Sequence, residues 1–379
     1  MLKMKKIAFR IQALIVLICF YIIKPFSYFY RCIAKQNIYI FTERGFDAED
    51  NAFVMYQFSK DKVNAYYLIK KNNNYKDKFN KNDKFINYGT FKHLFLLQCA
   101  EYIITTHGFL YIPVRISINK VGKYFKLHSK IIFLQHGVMM NKIDGLNYYD
   151  MFVTSTQDEF EFIKKETGLD ETVVKCVGLP RFDLLNINRN KLPKKQILIM
   201  PTWRNYLKNK QTIKDSLYLK RWLGFINDPK LKKELSTRGY EIVFYPHVEI
   251  RKFIDSNLIF KTKKSVQELL IESAILITDY SSVQFDFAYL FKPVLYYQFD
   301  YSEHYSKHHQ IGYFNEETKG FGPVAYEKET LITNLISMIE NPSIQEKYTE
   351  RAKNTFKYID SNNRQRVFDE LKNVKKHYY

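Results

Sequence analysis

Ile275-Leu276-Ile277-Thr278-Asp279-Tyr280-Ser281-Ser282-Val283-Gln284-Phe285-Asp286-Phe287-Ala288-Tyr289-Leu290 decides the fold, with Val294-Leu295-Tyr296-Tyr297 close behind it. A short apolar run over 275–278 reads as a strand. A polar turn follows, then a helical segment over 283–290, then a second apolar run over 294–297. Working outward, the same alternation recurs. Strands are expected at 197–200 and 241–245, and helices near 213–226, 266–273 and 328–340. A long polar helix is expected from 344. Upstream, strands are expected at 38–42, 63–69, 85–88, 102–106, 131–135, 151–154 and 173–177. Helical patterns lie between them at 49–59, 91–100 and 157–165. Short strands alternating with helices specify an α/β fold with doubly wound parallel sheets. A break at Gly178-Leu179-Pro180-Arg181, followed by a basic stretch to Lys195, separates two such series. The expected architecture is therefore two Rossmann-like halves in tandem, facing across a cleft. Residues 1–36 form an N-terminal segment, 37–190 a first domain and 191–379 a second with a closing helix.

Ligands of such sheets bind beyond the carboxyl ends of the strands, so polar residues directly after apolar runs take priority. His136 follows Phe133-Leu134-Gln135 and precedes Gly137, which allows a sharp turn. An imidazole there suits a general base, or else caps a strand. His247 closes Phe244-Tyr245-Pro246 in the second half and could donate to a phosphate oxygen or a leaving group. Ser281 and Ser282 stand at a helix start, where free N–H groups favour anions. Thr278, Asp279 and Asp286 flank them. An ordinary capping role is the plain alternative. Arg204, in Met200-Pro201-Thr202-Trp203-Arg204, could grip a phosphate with two parallel hydrogen bonds. Arg181 and Asp183 at the junction are read as a structural pair that fixes the hinge, with substrate contact by Arg181 as the alternative. Thr105-Thr106-His107-Gly108 repeats the strand-then-His-Gly pattern and could line an acceptor side. His304, His308 and His309 fall in a polar loop without metal-ligand spacing. GxGxxG, Walker A, GxSxG and HExxH are absent, which disfavours dehydrogenases, P-loop NTPases, serine hydrolases and zincins.

The formal charge of the 379-residue chain is +20. That surplus points to an anionic partner: nucleic acid, an acidic membrane surface or a polyphosphate. No zinc finger, RRM signature or helix-turn-helix pattern is present, and the lysines are scattered apart from modest clusters at 191–195 and 261–264, so nucleic acid is not expected. Cys19, Cys32, Cys99 and Cys176 are far apart and suggest neither a zinc site nor a disulfide framework. Near the N-terminus, 11–23 is apolar apart from Gln12 and is flanked by basic residues. It is shorter than the roughly 17–25 residues of a bilayer span. No small-residue cleavage site follows, since Lys24-Pro25-Phe26 comes next. The expected role is an anchor lying in the surface of the membrane, with a buried first helix as the alternative.

Taken in order, Leu134-Gln135-His136-Gly137-Val138, Gly178-Leu179-Pro180-Arg181-Phe182-Asp183, Pro201-Thr202-Trp203-Arg204, Tyr245-Pro246-His247, the stretch from Thr278 to Asp300 and Gly320-Phe321-Gly322-Pro323-Val324 resemble the CDP-glycerol glycerophosphotransferase family. These are the teichoic acid primases and polymerases of bacteria. Glu49-Asp50-Asn51-Ala52 is similar to the family's early helix start. The likeness runs from about residue 37 to 340. It implies a GT-B-type fold and monotopic attachment at the cytoplasmic face of the bacterial membrane. It further implies transfer of a polyol phosphate from CDP-glycerol or CDP-ribitol to a hydroxyl of a lipid-linked glycan or polyol-phosphate acceptor, with release of CMP. His136 matches the family's proposed base, His247 the histidine on the donor phosphate, and Ser281 with Ser282 the phosphate-binding pair. Arg204 lies in a motif near the donor. One departure stands out: Val138 and Met139 stand where Thr and Pro are usual after His-Gly, and the lysine falls one position later, at Lys142. No feature demands a metal, and a divalent ion is left open. Competing expectations are a GT-B glycosyltransferase using a nucleotide sugar, and a basic membrane protein that only binds polyanions.

Overall fold

Runs of Ile, Val, Tyr and Phe become strands here because they pack well on a pleated sheet covered on both faces. The computed structural model describes residues 2–34, 36–114, 123–141, 148–207, 209–251, 253–254, 259, 262, 264–307 and 311–377. Lys142, Lys261, Lys263, His308 and His309 lie outside the described residues. The chain forms two units. Unit 1 comprises Met1–His136, Ile143–Asp183 and Asn362–Tyr379, and unit 2 comprises Gly137–Lys142 and Leu184–Ser361.

Unit 1 holds strands β1 (Ile38–Thr42), β2 (Asn64–Ile69), β3 (Phe85–Asn87), β4 (Ala100–Thr105), β5 (Lys130–Phe133), β6 (Met151–Thr154) and β7 (Val174–Cys176). They make one parallel sheet in the order β3-β2-β1-β4-β5-β6-β7. Helices α1 (Leu2–Ile33), α2 (Asn51–Ser59) and α3 (Phe91–Cys99) belong to the same unit. Unit 2 holds β8 (Lys194–Ile199), β9 (Glu241–Phe244), β10 (Ser273–Thr278), β11 (Val294–Tyr297) and β12 (Val324–Ala325), parallel in the order β12-β11-β10-β8-β9. Its core gathers Ile197, Ile199, Ile277 and Tyr297 around the fully buried Trp222. The strand order reverses between β1 and β4 in one sheet and between β8 and β10 in the other. Those switch points open the crevices where such sheets hold ligands. The doubly wound α/β reading is thus the observed fold in both units.

Four expectations change. The apolar N-terminal run is part of a much longer helix: α1 has 32 residues, and its stretch Phe9–Ile33 is long and apolar enough to cross a membrane. Only one face of α1 docks. Phe20, Ile23 and Ser27 are buried, and Gln98 on α3 ties them down by donating to the Phe20 carbonyl at 2.7 Å. Leu14, Ile18, Ile22, Phe26 and Phe29 stay exposed. The helix expected over 213–226 is two, Lys210–Lys214 and Leu217–Ile226, because Ser216 caps the second through the Leu219 amide at 3.1 Å. The long closing helix is also two, Glu346–Thr355 and Asn363–Glu370. Between them Phe356 turns into the core against Tyr289, whose hydroxyl donates to the Tyr358 and Asp360 carbonyls. Residues 362–379, expected with the second half, belong to unit 1. There Asp183 accepts from the Asn363 amide at 2.8 Å and from Arg364 Nε at 2.7 Å.

Glycine is required at two family-like positions. Gly178 has φ +87°, and a Cβ there would lie 1.8 Å from Asn363 Oδ1. A Cβ on Gly322 would lie 1.6 Å from the Val294 carbonyl oxygen. The next residue, Pro323, accepts from the Tyr296 amide at 3.1 Å and opens β12.

Candidate active site

In unit 1 the site assembles where β1, β4 and β5 end. Gln135 makes the turn after β5 with φ 61°, a left-handed conformation that costs a residue with a Cβ roughly 1–2 kcal/mol. The expected turning point was Gly137, two residues later. Gln135 is held there by its own side chain, which donates to the Val153 carbonyl at 2.5 Å and to Glu159 at 3.0 Å. Its carbonyl accepts from Asn51 Nδ2 at 2.9 Å. His136 emerges from this turn with 63% of its side chain exposed. Its Nδ1 is hydrogen-bonded to Asp50 Oδ2.

Asp50 is buried, and its other oxygen accepts from Arg181 Nη1 at 2.7 Å. Burial opposes ionisation of Asp50, but His136 and Arg181 outweigh it and hold the carboxyl well below its ordinary range. Arg181 also donates to the His136 carbonyl. Its amide donates to Asn51 Oδ1 at 3.0 Å, which stitches the junction motif to α2. Arg181 is therefore turned to Asp50, while Asp183 is turned to Asn363 and Arg364. The mutual hinge pair expected from the sequence gives way to two separate anchors.

His107, from the turn after β4, lies against His136 with ring centroids 4.5 Å apart. Thr106 Oγ1 sits 2.7 Å from its Nδ1. Burial, aided by the neighbouring His136, pushes His107 down to about 3, so it is neutral at working pH. Asp50, His107 and His136 bring potential ligand atoms within 4.8 Å of one another, a set that could hold a divalent cation. Arg181, bonded to the same carboxylate, opposes that charge. The roles of Asp50 and Asn51 are not carried by a simple pattern: both come from a helix start read only as a likeness of sequence.

In unit 2 the corresponding region lies beyond β8, β10 and β11. Arg204 is fully buried. Its Nε donates to Asp300 Oδ2 at 2.8 Å, its Nη2 to Asp279 Oδ2 at 2.8 Å and Asp300 Oδ1 at 3.0 Å, and its Nη1 to the Thr202 carbonyl at 2.9 Å. Its Cζ lies over the Tyr218 and Tyr280 rings at 5.0 and 5.1 Å. A bidentate grip by Arg204 is made on Asp300. Asp279 also receives the Thr202 and Tyr280 amides, each at 2.7 Å, which fixes the turn after β10. Burial, only partly offset by Arg204, raises its carboxyl above the usual range.

Thr278 is likewise internal, donating to the Met200 carbonyl at 2.7 Å. Asp286 is buried in the helix Val283–Tyr289. Ser281 and Ser282 are half-buried at that helix start. Ser281 accepts from the Val283 amide at 3.4 Å, and Ser282 makes no side-chain cap. His247 is exposed, with its ring stacked on Trp203 at 6.1 Å. His304, expected in a solvated loop, is buried and stacked 3.9 Å from Tyr280, because a helix forms at Tyr301–Lys307.

Comparison with known proteins follows the same lines. A family model described as CDP-Glycerol:Poly(glycerophosphate) glycerophosphotransferase matches residues 25–373. The chain is 32% identical over 366 residues to the minor teichoic acid biosynthesis protein GgaB of Bacillus subtilis (strain 168), covering 89% of this chain and 40% of that protein. It is 28% identical over 246 residues to the teichoic acid glycerol-phosphate primase of the same organism, covering 60% of this chain and 58% of the primase. The chain thus spans less than two thirds of either relative. The solved wall teichoic acid polymerase TagF superposes with a TM-score of 0.68 at 20% identity, over 90% of each chain. A UDP-GlcNAc 2-epimerase of Methanocaldococcus jannaschii, solved with UDP-GlcNAc and UDP, also superposes, with a TM-score of 0.55 at 12% identity over 89% of this chain and 99% of that one. One fold serves different chemistries, so the fold by itself assigns none. The family model covers nearly the whole chain, and on that match the chain belongs to the CDP-glycerol:poly(glycerophosphate) glycerophosphotransferase family.

Proposed function

We propose that this chain transfers glycerol phosphate from CDP-glycerol to a hydroxyl of a membrane-linked teichoic acid or capsule precursor. The observation that carries this reading is His136, exposed at a strand end and hydrogen-bonded through Nδ1 to a buried carboxylate, in a chain of this family. In the proposed step the acceptor oxygen attacks the phosphorus that bears glycerol, and its proton passes to His136 Nε2. The bond from that phosphorus to the bridging oxygen breaks, and CMP departs with the oxygen. Such transfers depend mainly on positioning and charge stabilisation. His247 is the candidate contact for a donor phosphate oxygen, with Ser281 and Ser282 as hydroxyl donors. Arg204, Asp279 and Thr278 serve as the buried scaffold under them.

The acceptor would be lipid-linked, and α1 supports that part. Its exposed face carries Leu14, Ile18, Ile22, Phe26 and Phe29, while its other face is docked on α3. A helix docked on one side and apolar on the other suits the surface of an acidic membrane, to which a charge of +20 is drawn.

The test is to incubate the full chain with CDP-glycerol or CDP-ribitol and a lipid-linked disaccharide, then weigh the product by mass spectrometry. A product heavier by glycerol phosphate, with stoichiometric CMP, is expected. Sugar transfer from a UDP-sugar, with no CMP from either CDP-polyol, would replace this reading with that of a glycosyltransferase.

A further inference from the structure

We propose that Asp50 is a positioning residue that sets the tautomer of His136, and that Arg181 locks Asp50 into that duty. The inference rests on the reading of His136 as the acceptor-side base and names what prepares it.

Asp50 stands at the N-cap of α2, and the plain reading is a helix cap. An ordinary cap accepts from the second or third helical amide. Here the third, Phe53 N, donates instead to Glu43 Oε1 at 3.2 Å. The same oxygen takes the Asp50 amide at 2.8 Å. Glu43, one residue past β1, thus does the capping and leaves the Asp50 carboxylate for other work. Oδ1 accepts from Asn51 N at 2.7 Å and from Arg181 Nη1 at 2.7 Å, while Oδ2 faces His136 Nδ1.

An ionised carboxylate only accepts, so the proton of that bond sits on His136 Nδ1, and Nε2 keeps its lone pair for a substrate proton. A guanidinium only donates, so whatever faces Arg181 must be an acceptor. Asparagine at position 50 would therefore be forced one way round. Its carbonyl oxygen would stay with Arg181 and Asn51 N, and its amide NH2 would face His136 Nδ1. That donor drives the imidazole proton onto Nε2 and removes the lone pair the reaction needs. Asparagine has the same shape and its oxygen keeps the contacts to Asn51 N and Arg181, so the substitution removes the charge and leaves the packing in place.

The experiment uses the full chain labelled with 15N-histidine. Imidazole correlation spectra give the tautomer of His136, and CMP release from CDP-glycerol gives kcat and KM. Wild type is expected to show the Nδ1–H form and Asp50→Asn the Nε2–H form. In Asp50→Asn, kcat should fall by about 100-fold or more while KM for CDP-glycerol changes by less than about 3-fold. In Arg181→Met with Asp50→Asn the amide loses one of the two donors that hold its oxygen, so part of the Nδ1–H form and part of kcat should return. Asp50→Ser, which keeps a capping hydroxyl but is too short for His136, covers the case in which the asparagine variant does not fold, and should also lose kcat. An Asp50→Asn protein with the wild-type tautomer or the wild-type kcat overturns the proposal. So does a wild-type spectrum that changes on adding EDTA, which would assign Asp50, His107 and His136 to a cation. Full turnover by His136→Ala would instead remove the base reading and leave the tautomer result standing.

Discussion

The Asp–Arg pairs around His136 and around Arg204 both sit at the ends of strands, and they are built for opposite ends. Around His136, Arg181 and Asp50 are buried but hold up a side chain that is 63% exposed. Around Arg204 the polar contacts turn inward, and the guanidinium, Asp279 and Asp300 have side-chain exposures of 0%, 0% and 2%. In the first case the ion pair orients a group that still has a free valence to offer. In the second it consumes its own valences to tie three strand ends of one sheet together. Charge at the end of a strand is therefore not a site in itself. What decides is whether the pairing leaves a reactive atom at the surface.

That contrast is broken most directly by exchanging one residue on each side. His136→Ala should lower CMP release by about 100- to 10,000-fold and lower the melting temperature only modestly, because the side chain is exposed and the buried Asp50 keeps Arg181 as its cation. Arg204→Met should do the reverse at the level of stability. It leaves Asp279 and Asp300 buried without their cation, at a cost of about 3–5 kcal/mol in denaturant unfolding. A soluble, cooperatively folded Arg204→Met protein that has lost only donor affinity would show that Arg204 belongs with the chemistry after all.

The sequence made the strands legible because each is an apolar run bounded by polar turns, and it made His136 and His107 legible because each follows such a run. It did not show their partners. His136 meets a residue 86 positions away, and Arg204 meets carboxylates 75 and 96 positions away. Such distances are bridged only by the strand order. A signal was nonetheless present. Arg204, Asp279 and Asp300 each follow a strand of one sheet, and the order β11-β10-β8 makes those strands neighbours, so the three side chains converge. The break in the closing helix is hidden from the sequence for a similar reason. Its polar pattern is continuous through 356–362, and only tertiary contacts of Phe356, Tyr358 and Asp360 break it.

Another buried acid in unit 2 gives the contrast a pH dependence. Burial raises Glu316 to about 7, while amides of Gln298 and Gln284 pull the other way. An acid raised on folding contributes stability that is complete below its unfolded value of about 4.5 and is lost as pH rises through about 7. The loss is on the order of 3 kcal/mol. Glu316→Gln, neutral throughout, should flatten the stability profile between pH 5 and 7 and be the more stable protein at pH 8. Equal pH slopes for the two proteins would remove Glu316 as their source.

The smallest effect separates two hydroxyls four residues apart. Thr278 donates to the Met200 carbonyl from a buried position and ties β10 to the end of β8. Thr278→Val keeps the shape, removes that bond and should cost about 1 kcal/mol. KM for CDP-glycerol should stay put. Ser282 has no capping bond to lose, so Ser282→Ala should leave stability within a few tenths of a kcal/mol. If its hydroxyl meets a donor phosphate, KM should rise by about 3- to 10-fold, the equivalent of one hydrogen bond. The two variants share chemistry and neighbourhood and differ in whether the hydroxyl is already spent. A stability loss in Ser282→Ala, or a KM rise in Thr278→Val without one, would reverse the assignment, with Thr278 on the donor and Ser282 in the scaffold.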